Sequence, residues 1–196
     1  MEKINFIKTF IPQGDFREKY EHGGMMVRHL AAVLDEKMGA YECYECTVPI
    51  GEYDEGEIQK AFIEFTAKMD ALKLKQAKAD KIAEITAYDT SDKVNGFVLN
   101  GLLVWLDKAT RVGLMNSTTI AKSAGQKTTT LWLGGLKLVV DCDKAIQLLS
   151  ALEMYALECF NVTESHKQAV SELTAIEEVE AYDYKAGYPK MLEMSI

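Results

Sequence analysis

Apolar and polar positions along this chain follow three successive rhythms. The first is the short period of β-strands. Ile4-Asn-Phe-Ile-Lys-Thr-Phe-Ile11 is β-branched and aromatic and is closed by Pro12 and Gly14, which predicts a strand. Residues 26–34 predict a second strand, and residues 41–48 a third that stops before Pro49 and Gly51. Between them Asp35-Glu-Lys-Met-Gly39 has the length and closing glycine of a hairpin loop. Residues 25–37 also tolerate a short helix, since Leu30, Ala31, Ala32 and Leu34 suit one. The meander is the preferred reading.

The second rhythm is helical. No proline occurs from Asp54 to Ile85, and Ile58, Phe62, Phe65, Met69 and Leu72 recur at alternating spacings of four and three. That is a heptad seam, which Gln76 and Ala79 would continue, with Ile82 and Ile85 nearby. Asp54, Glu55, Glu57 and Glu64 lead while Lys73, Lys75, Lys78 and Lys81 follow, an order that complements the helix dipole. A helix of ~30 residues is ~45 Å long, more than a small domain covers. The stripe therefore either lies on a sheet of the same chain or joins copies of the chain. Self-association is the preferred reading.

The third rhythm alternates hairpins with capped helices. Phe97-Val-Leu-Asn-Gly-Leu-Leu-Val-Trp-Leu106 reads as a hairpin turning at Asn100-Gly101, and Asp107 caps a helix over residues 108–115. Ser117 caps a second helical stretch that ends at Gly125. Residues 128–140 form another hairpin turning at Gly134-Gly135. Asp141 or Asp143 then caps a helix with Ile146, Leu149, Leu152, Tyr155 and Cys159 on one stripe. Asn161 is expected to break that helix and Thr163 to restart it, and Thr174-Ala-Ile-Glu177 reads as a capping box for a last short helix. Leu99-Asn-Gly-Leu-Leu-Val-Trp-Leu-Asp107 aligns without a gap on Leu133-Gly-Gly-Leu-Lys-Leu-Val-Val-Asp141. Two such hairpin-plus-helix units can share one sheet about a pseudo-twofold; chance hairpin grammar is the other explanation. Trp105, between strand and helix cap, is expected at the junction of sheet and helix as the costliest side chain to truncate. The whole predicts an α+β protein. It has a β-rich module over residues 1–52, a long helix over 53–85 and an α+β module, able to fold alone, over 86–196.

Composition narrows the function. The 196 residues are 48% hydrophobic and 27% charged, enough apolar content for a core. Asp plus Glu number 30 against 22 Lys plus Arg, a net charge of −8, which argues against nucleic acid as a main partner. No apolar run of about 18 residues suggests a membrane span. Met1-Glu2-Lys3 leads into a short apolar-polar mix unlike a signal peptide, so a cytosolic protein or a particle component is expected.

Candidate chemistry is sparse. Cys43-Tyr-Glu-Cys46 has the spacing of a zinc or redox pair, but it lacks a turn between the thiols and a second ligand pair; Cys142 and Cys159 lie far apart. Strand alternation points Cys43 and Cys46 to opposite faces, so no metal site is assigned. His22, His29 and His166 share no ligand spacing. Asp107, Lys108 and Arg111 gather at a helix start and read either as an anion site or as a cap with an ion pair. Tyr182-Asp-Tyr-Lys-Ala-Gly-Tyr-Pro189 is an aromatic tail that docks on its domain or offers a contact patch. No catalytic or cofactor-binding residue is assigned and no cofactor is expected.

A resemblance adds context. Val94-Asn-Gly-Phe97 with Leu99-Asn-Gly101 and Val104-Trp-Leu-Asp-Lys-Ala-Thr-Arg-Val-Gly-Leu-Met-Asn116 is joined by Thr129-Thr-Leu-Trp132 and Ala151-Leu-Glu-Met-Tyr155. Glu177-Glu-Val-Glu-Ala-Tyr-Asp-Tyr184 and Gly187-Tyr-Pro189 complete the set. This region resembles a C-terminal domain family of unassigned function found in phage and prophage proteins, often near tail and tail-fibre genes. The resemblance implies a phage setting and carries over no functional residue. The resulting expectation is a non-catalytic structural or assembly protein of a phage, in the virion or the host cytoplasm. It would bind other phage structural proteins and self-associate through Ile58, Phe62, Phe65, Met69 and Leu72. The alternatives are a small enzyme or metal- or anion-binding domain, and an adaptor acting on a host protein.

Overall fold

A computed structural model describes residues 4, 6–11, 17–19, 24–35 and 40–196, and the chain divides into two compact units, Met1–Lys73 and Leu74–Ile196. The architecture is α+β, as the sequence pattern predicts.

The first unit holds β1 (Ile7–Ile11), β2 (Arg17–Lys19), β3 (Gly24–Asp35) and β4 (Ala40–Pro49) in one antiparallel sheet of order β1-β4-β3-β2. The strand reading of residues 26–34 holds and the helical alternative does not. The short β2 had no separate sequence signal. Of the expected hairpin loop, residues 36–39 lie outside the described residues, while Asp35 and Ala40 pair at its base. In β4 the period of two is plain: Tyr44, Cys46 and Val48 are buried and Thr47 is exposed. Asp54 and Glu57 then form a reciprocal capping box, Glu57 N–H donating to Asp54 Oδ1 at 2.8 Å and Asp54 N–H to Glu57 Oε2 at 3.0 Å. It opens α1 (Glu55–Asp89). Residues 55–73 of that helix belong to the first unit, where Ile58 is buried with Phe6, Val27 and Tyr44, and Phe62 and Phe65 pack against the same cluster. Ring centroids lie 5.3 Å apart for Phe6–Phe62 and 5.0 Å for Tyr44–Phe65.

In the second unit α1 does not continue the heptad phase. Gln76 and Ala79 are exposed, and Leu74, Ala77, Ile82 and Ile85 pack instead with Val170 and Val179. Next come α2 (Asp92–Asn95), β5 (Gly96–Leu99), β6 (Leu102–Trp105), α3 (Lys108–Ser123), β7 (Thr128–Leu133), β8 (Leu136–Asp141), α4 (Cys142–Glu172), α5 (Ile176–Ala181) and β9 (Leu192–Met194). Both hairpins turn where expected: Asn100 and Gly101 have φ of 50° and 81°, and Gly134 and Gly135 have 56° and 85°, the left-handed values of a type I′ turn. Strands β5 and β7 bury Leu99, Leu131 and Leu133, which pack in one core with Val104, Val140, Leu149 and Leu152.

Several expectations need correction. The two hairpins do not share a sheet. β5 pairs antiparallel with β6 and parallel with β9, whereas β7 and β8 form a sheet of their own. What the repeat does preserve is local: Asp107 and Asp141 each cap the helix after a hairpin, accepting from Thr110 N–H and from Asp143 and Lys144 N–H respectively. Neither Ser117 nor Asn161 interrupts its helix. One exposed Asn costs a helix only about 0.7 kcal/mol or less, and burial of Cys159, Thr163 and Val170 on either side of Asn161 outweighs that. The last capping interaction is shifted by one residue, with Glu178 accepting from Thr174 and Ala175 N–H.

Candidate functional site

Four segments of the second unit enclose a cleft of about 400 Å³. The end of α1 with the turn after it supplies Asp89 and Thr90, and the end of α2 supplies Asn95; the β6–α3 junction supplies Trp105, Leu106, Asp107, Lys108 and Arg111; α4 supplies Glu153, Ala156, Leu157 and Phe160.

The β6–α3 junction is set by strand parity. Val104 and Leu106 point into the core at 5% and 6% exposure, so Trp105 between them faces outward at 40%. The sequence expectation that Trp105 is the buried junction residue is therefore wrong: its neighbours occupy that place and the indole lines the cleft. Asp107 uses its carboxylate at home. Oδ1 accepts the Thr110 N–H at 2.9 Å and Oδ2 the Thr110 hydroxyl at 2.6 Å. These hydrogen bonds, the Thr110 hydroxyl first, hold its pKa below the ordinary carboxylate value. An ionised aspartate thus already occupies the N-terminus of α3. Arg111, one turn on, is buried; its Nε meets Glu153 Oε1 at 2.9 Å and a terminal nitrogen donates to the Leu106 carbonyl at 2.7 Å. Of the three residues sequence reasoning placed together here, two thus have internal partners, and Lys108 is exposed at the rim.

The opposite wall is fixed by the tail. Thr163 donates to Asp89 Oδ1 at 2.8 Å and lies 2.9 Å from the Tyr188 hydroxyl. Tyr88 packs edge-on against both Tyr184 and Tyr188, and His166 bridges Tyr182 and the Ala186 carbonyl. The aromatic tail docks within its own unit. At the base of this wall, Val94 offers its carbonyl to the Tyr155 hydroxyl at 2.6 Å and to the Cys159 thiol at 3.3 Å.

Sequence reasoning missed Glu153, Leu157 and Phe160. The signal was present: Met154, Leu157 and Phe160 repeat every three residues along α4 but fall off its buried Leu149, Leu152, Tyr155 and Cys159 stripe. All three are at least half exposed.

The other candidates fall elsewhere. Of the heptad residues, Ile58 is buried on the sheet with Phe62 and Phe65 against it, Met69 is half-buried and Leu72 is exposed. Cys46 is buried and reduced, and burial, with Glu45 next, pushes its thiol up to about 11. Cys43 lies in the same strand at a position of opposite parity, paired through its backbone with Thr9 and Leu30. Among the described residues, no cluster of three or more His, Cys, Asp or Glu side chains could hold a metal ion. No described helix is long and apolar enough to cross a membrane. His22 lies outside the described residues, and His29 sits in β3 opposite Tyr44.

Fold and cleft define a two-unit α+β protein whose second unit presents an apolar-rimmed cleft with an Arg–Glu pair at its floor. Residues 76–186, more than half of the chain, match the family described as a domain of unknown function (DUF4376), and the chain belongs to that family. No curated protein and no solved structure matches the chain.

Proposed function

We propose that this is a non-catalytic phage or prophage structural or assembly protein, associated with the tail or tail fibre, that acts by binding another protein and by self-association. The observation that carries the binding role is the cleft rim. Trp105, Leu157 and Phe160 stand 40%, 51% and 51% exposed around one concavity, beside the buried Arg111. Exposed aromatic and aliphatic anchors next to arginine are the composition of protein-binding hot spots. Asp107 and Arg111 hold a helix end and an ion pair, which supports recognition over acid–base chemistry. The phage setting rests on the resemblance of the Val94–Asn116 and Glu177–Pro189 motifs, and the location proposed with it is the virion or the host cytoplasm.

Mass spectrometry of purified particles tests this reading, comparing the parent with a chain carrying Trp105→Ser and Phe160→Ser. The expected result is a fixed stoichiometry of the parent in particles or assembly intermediates and its loss for the variant. A chain found only free in the lysate would end the structural role.

A further inference from the structure

The cleft has a chemistry as well as a shape. Three carboxylates, Asp89, Asp107 and Glu153, line it against two cations. One of those cations, Arg111, is neutralised by Glu153 and further engaged by the Leu106 carbonyl. The positive end of α3 is likewise neutralised, because the Asp107 carboxylate bonds its first turn. Lys108 is the remaining cation in the lining and stands at the exposed rim. An anion entering here would meet the Asp89 carboxylate at the end of α1 and the Asp107 carboxylate that already fills the start of α3. The chain as a whole carries −8, which reinforces the local sign.

We infer that the cleft binds a short basic-apolar peptide segment of a partner protein, a large aliphatic or aromatic side chain flanked by Lys or Arg. The inference rests on the protein-binding reading above and names the chemistry of the partner. The apolar side chain fits between Trp105, Leu157 and Phe160. The flanking cation stacks on the Trp105 or Phe160 face, the geometry of a cation–π contact, on the side of the cleft that Asp89 lines. Charge complementarity selects this occupant over an acidic segment.

The test is selection of a randomised peptide library on the immobilised full-length protein, followed by affinity measurements on the selected peptides by fluorescence anisotropy. Trp105→Ser, Phe160→Ser and Asp89→Asn are compared with the parent after their folding is checked by circular dichroism. The expected result is enrichment of Lys or Arg beside Leu, Phe or Trp. Affinity should fall about tenfold or more in the Trp105 and Phe160 variants, and it should weaken with salt in the parent. Enrichment of acidic peptides at the same side chains would overturn the basic-segment inference and leave protein binding standing. A peptide displaced by rising concentrations of the protein itself would mean that a second copy fills the cleft, and would also overturn it. Absence of any peptide that distinguishes parent from the rim variants would end both readings of the cleft.

Discussion

The buried hydroxyl of Thr163 gives its single proton to the carboxylate of Asp89, 2.8 Å away, so the Tyr188 hydroxyl, 2.9 Å on the other side, must donate to Thr163. One side chain of α4 thereby ties the end of α1 to the C-terminal tail. Replacing it with the isosteric Val removes both bonds at a fully buried position. Thr163→Val should cost about 1–3 kcal/mol, while Thr163→Ser, which keeps the hydroxyl, should retain most of the stability. Urea melts of the two decide it. A negligible loss for Thr163→Val beside a larger one for Thr163→Ser would mean that packing of the methyl group, not the hydrogen bonds, sets the cost.

Gly96 and Gly113 should respond in opposite directions to alanine. A Cβ on Gly96 would collide with the Asp92 carbonyl oxygen, a backbone atom that cannot step aside without unwinding α2. Gly96→Ala should therefore destabilise by about 1–3 kcal/mol. Gly113 lies inside α3 with nothing within 4 Å of a new Cβ. There Gly113→Ala should stabilise by about 0.5–1 kcal/mol through helix propensity. Thermal melts of both variants would show the opposite signs, and a shared sign would contradict this account of the α2–β5 junction.

Local grammar was legible wherever one residue decides the backbone. Asn100-Gly101 and Gly134-Gly135 adopt the left-handed turns that their composition demands, and Asp107 caps the helix it precedes. Features that depend on distant partners were not legible. Asn161 looks like a helix breaker only until Cys159, Thr163 and Val170 are seen buried around it. The parallel pairing of β9 with β5, Leu192 opposite Phe97, joins residues far apart in the chain and leaves no periodic signature in a three-residue strand. The cleft was half visible: the cluster of Asp107, Lys108 and Arg111 is a sequence neighbourhood, but Glu153 and Asp89 reach it only through the fold.

Trp105 shows how a one-position parity error changes a stability forecast. The strand alternates correctly, yet the inward residues are Val104 and Leu106. Leu106→Ala should cost about 2–5 kcal/mol through lost burial and the cavity left behind. Trp105→Ala should cost less, about 1–3 kcal/mol, because its indole is 40% exposed and its removal leaves no enclosed cavity. If urea melts reverse this order, the indole is a packing element and the cleft reading loses its main anchor.

The Asp107 cap sets a pH dependence. Its folded-state pKa lies below the unfolded value, so its contribution is present above the unfolded carboxylate pKa of about 4 and is lost as pH falls through the lower folded value. The gap in urea midpoint between the parent and Asp107→Ala should be open at neutral pH and should close in strong acid. A gap that is constant with pH would mean that the charge and its hydrogen bonds to Thr110 do not act as the cap.

Self-association through α1 needs a variant that leaves the first unit intact. Phe62 and Phe65 are the obvious targets in the heptad stripe, but both pack on the sheet cluster around Phe6 and Tyr44. A Glu at either place would forfeit about 1.5–3 kcal/mol of burial and place a charge against aromatic rings, so loss of an oligomer could merely report unfolding. Leu72 belongs to the same stripe and is 50% exposed, and Ile63, one position from Phe62, is 57% exposed. Glu at these two positions should change stability by no more than about 0.5 kcal/mol each. If copies of the chain meet along this helix, Leu72→Glu should convert the oligomer to monomer in light scattering while the melting curve stays unchanged. Ile63→Glu then marks the breadth of the contact: dissociation by both variants would place it across the two positions, and by Leu72→Glu alone would confine it to the heptad stripe. A parent chain that is strictly monomeric at high concentration would end the proposal.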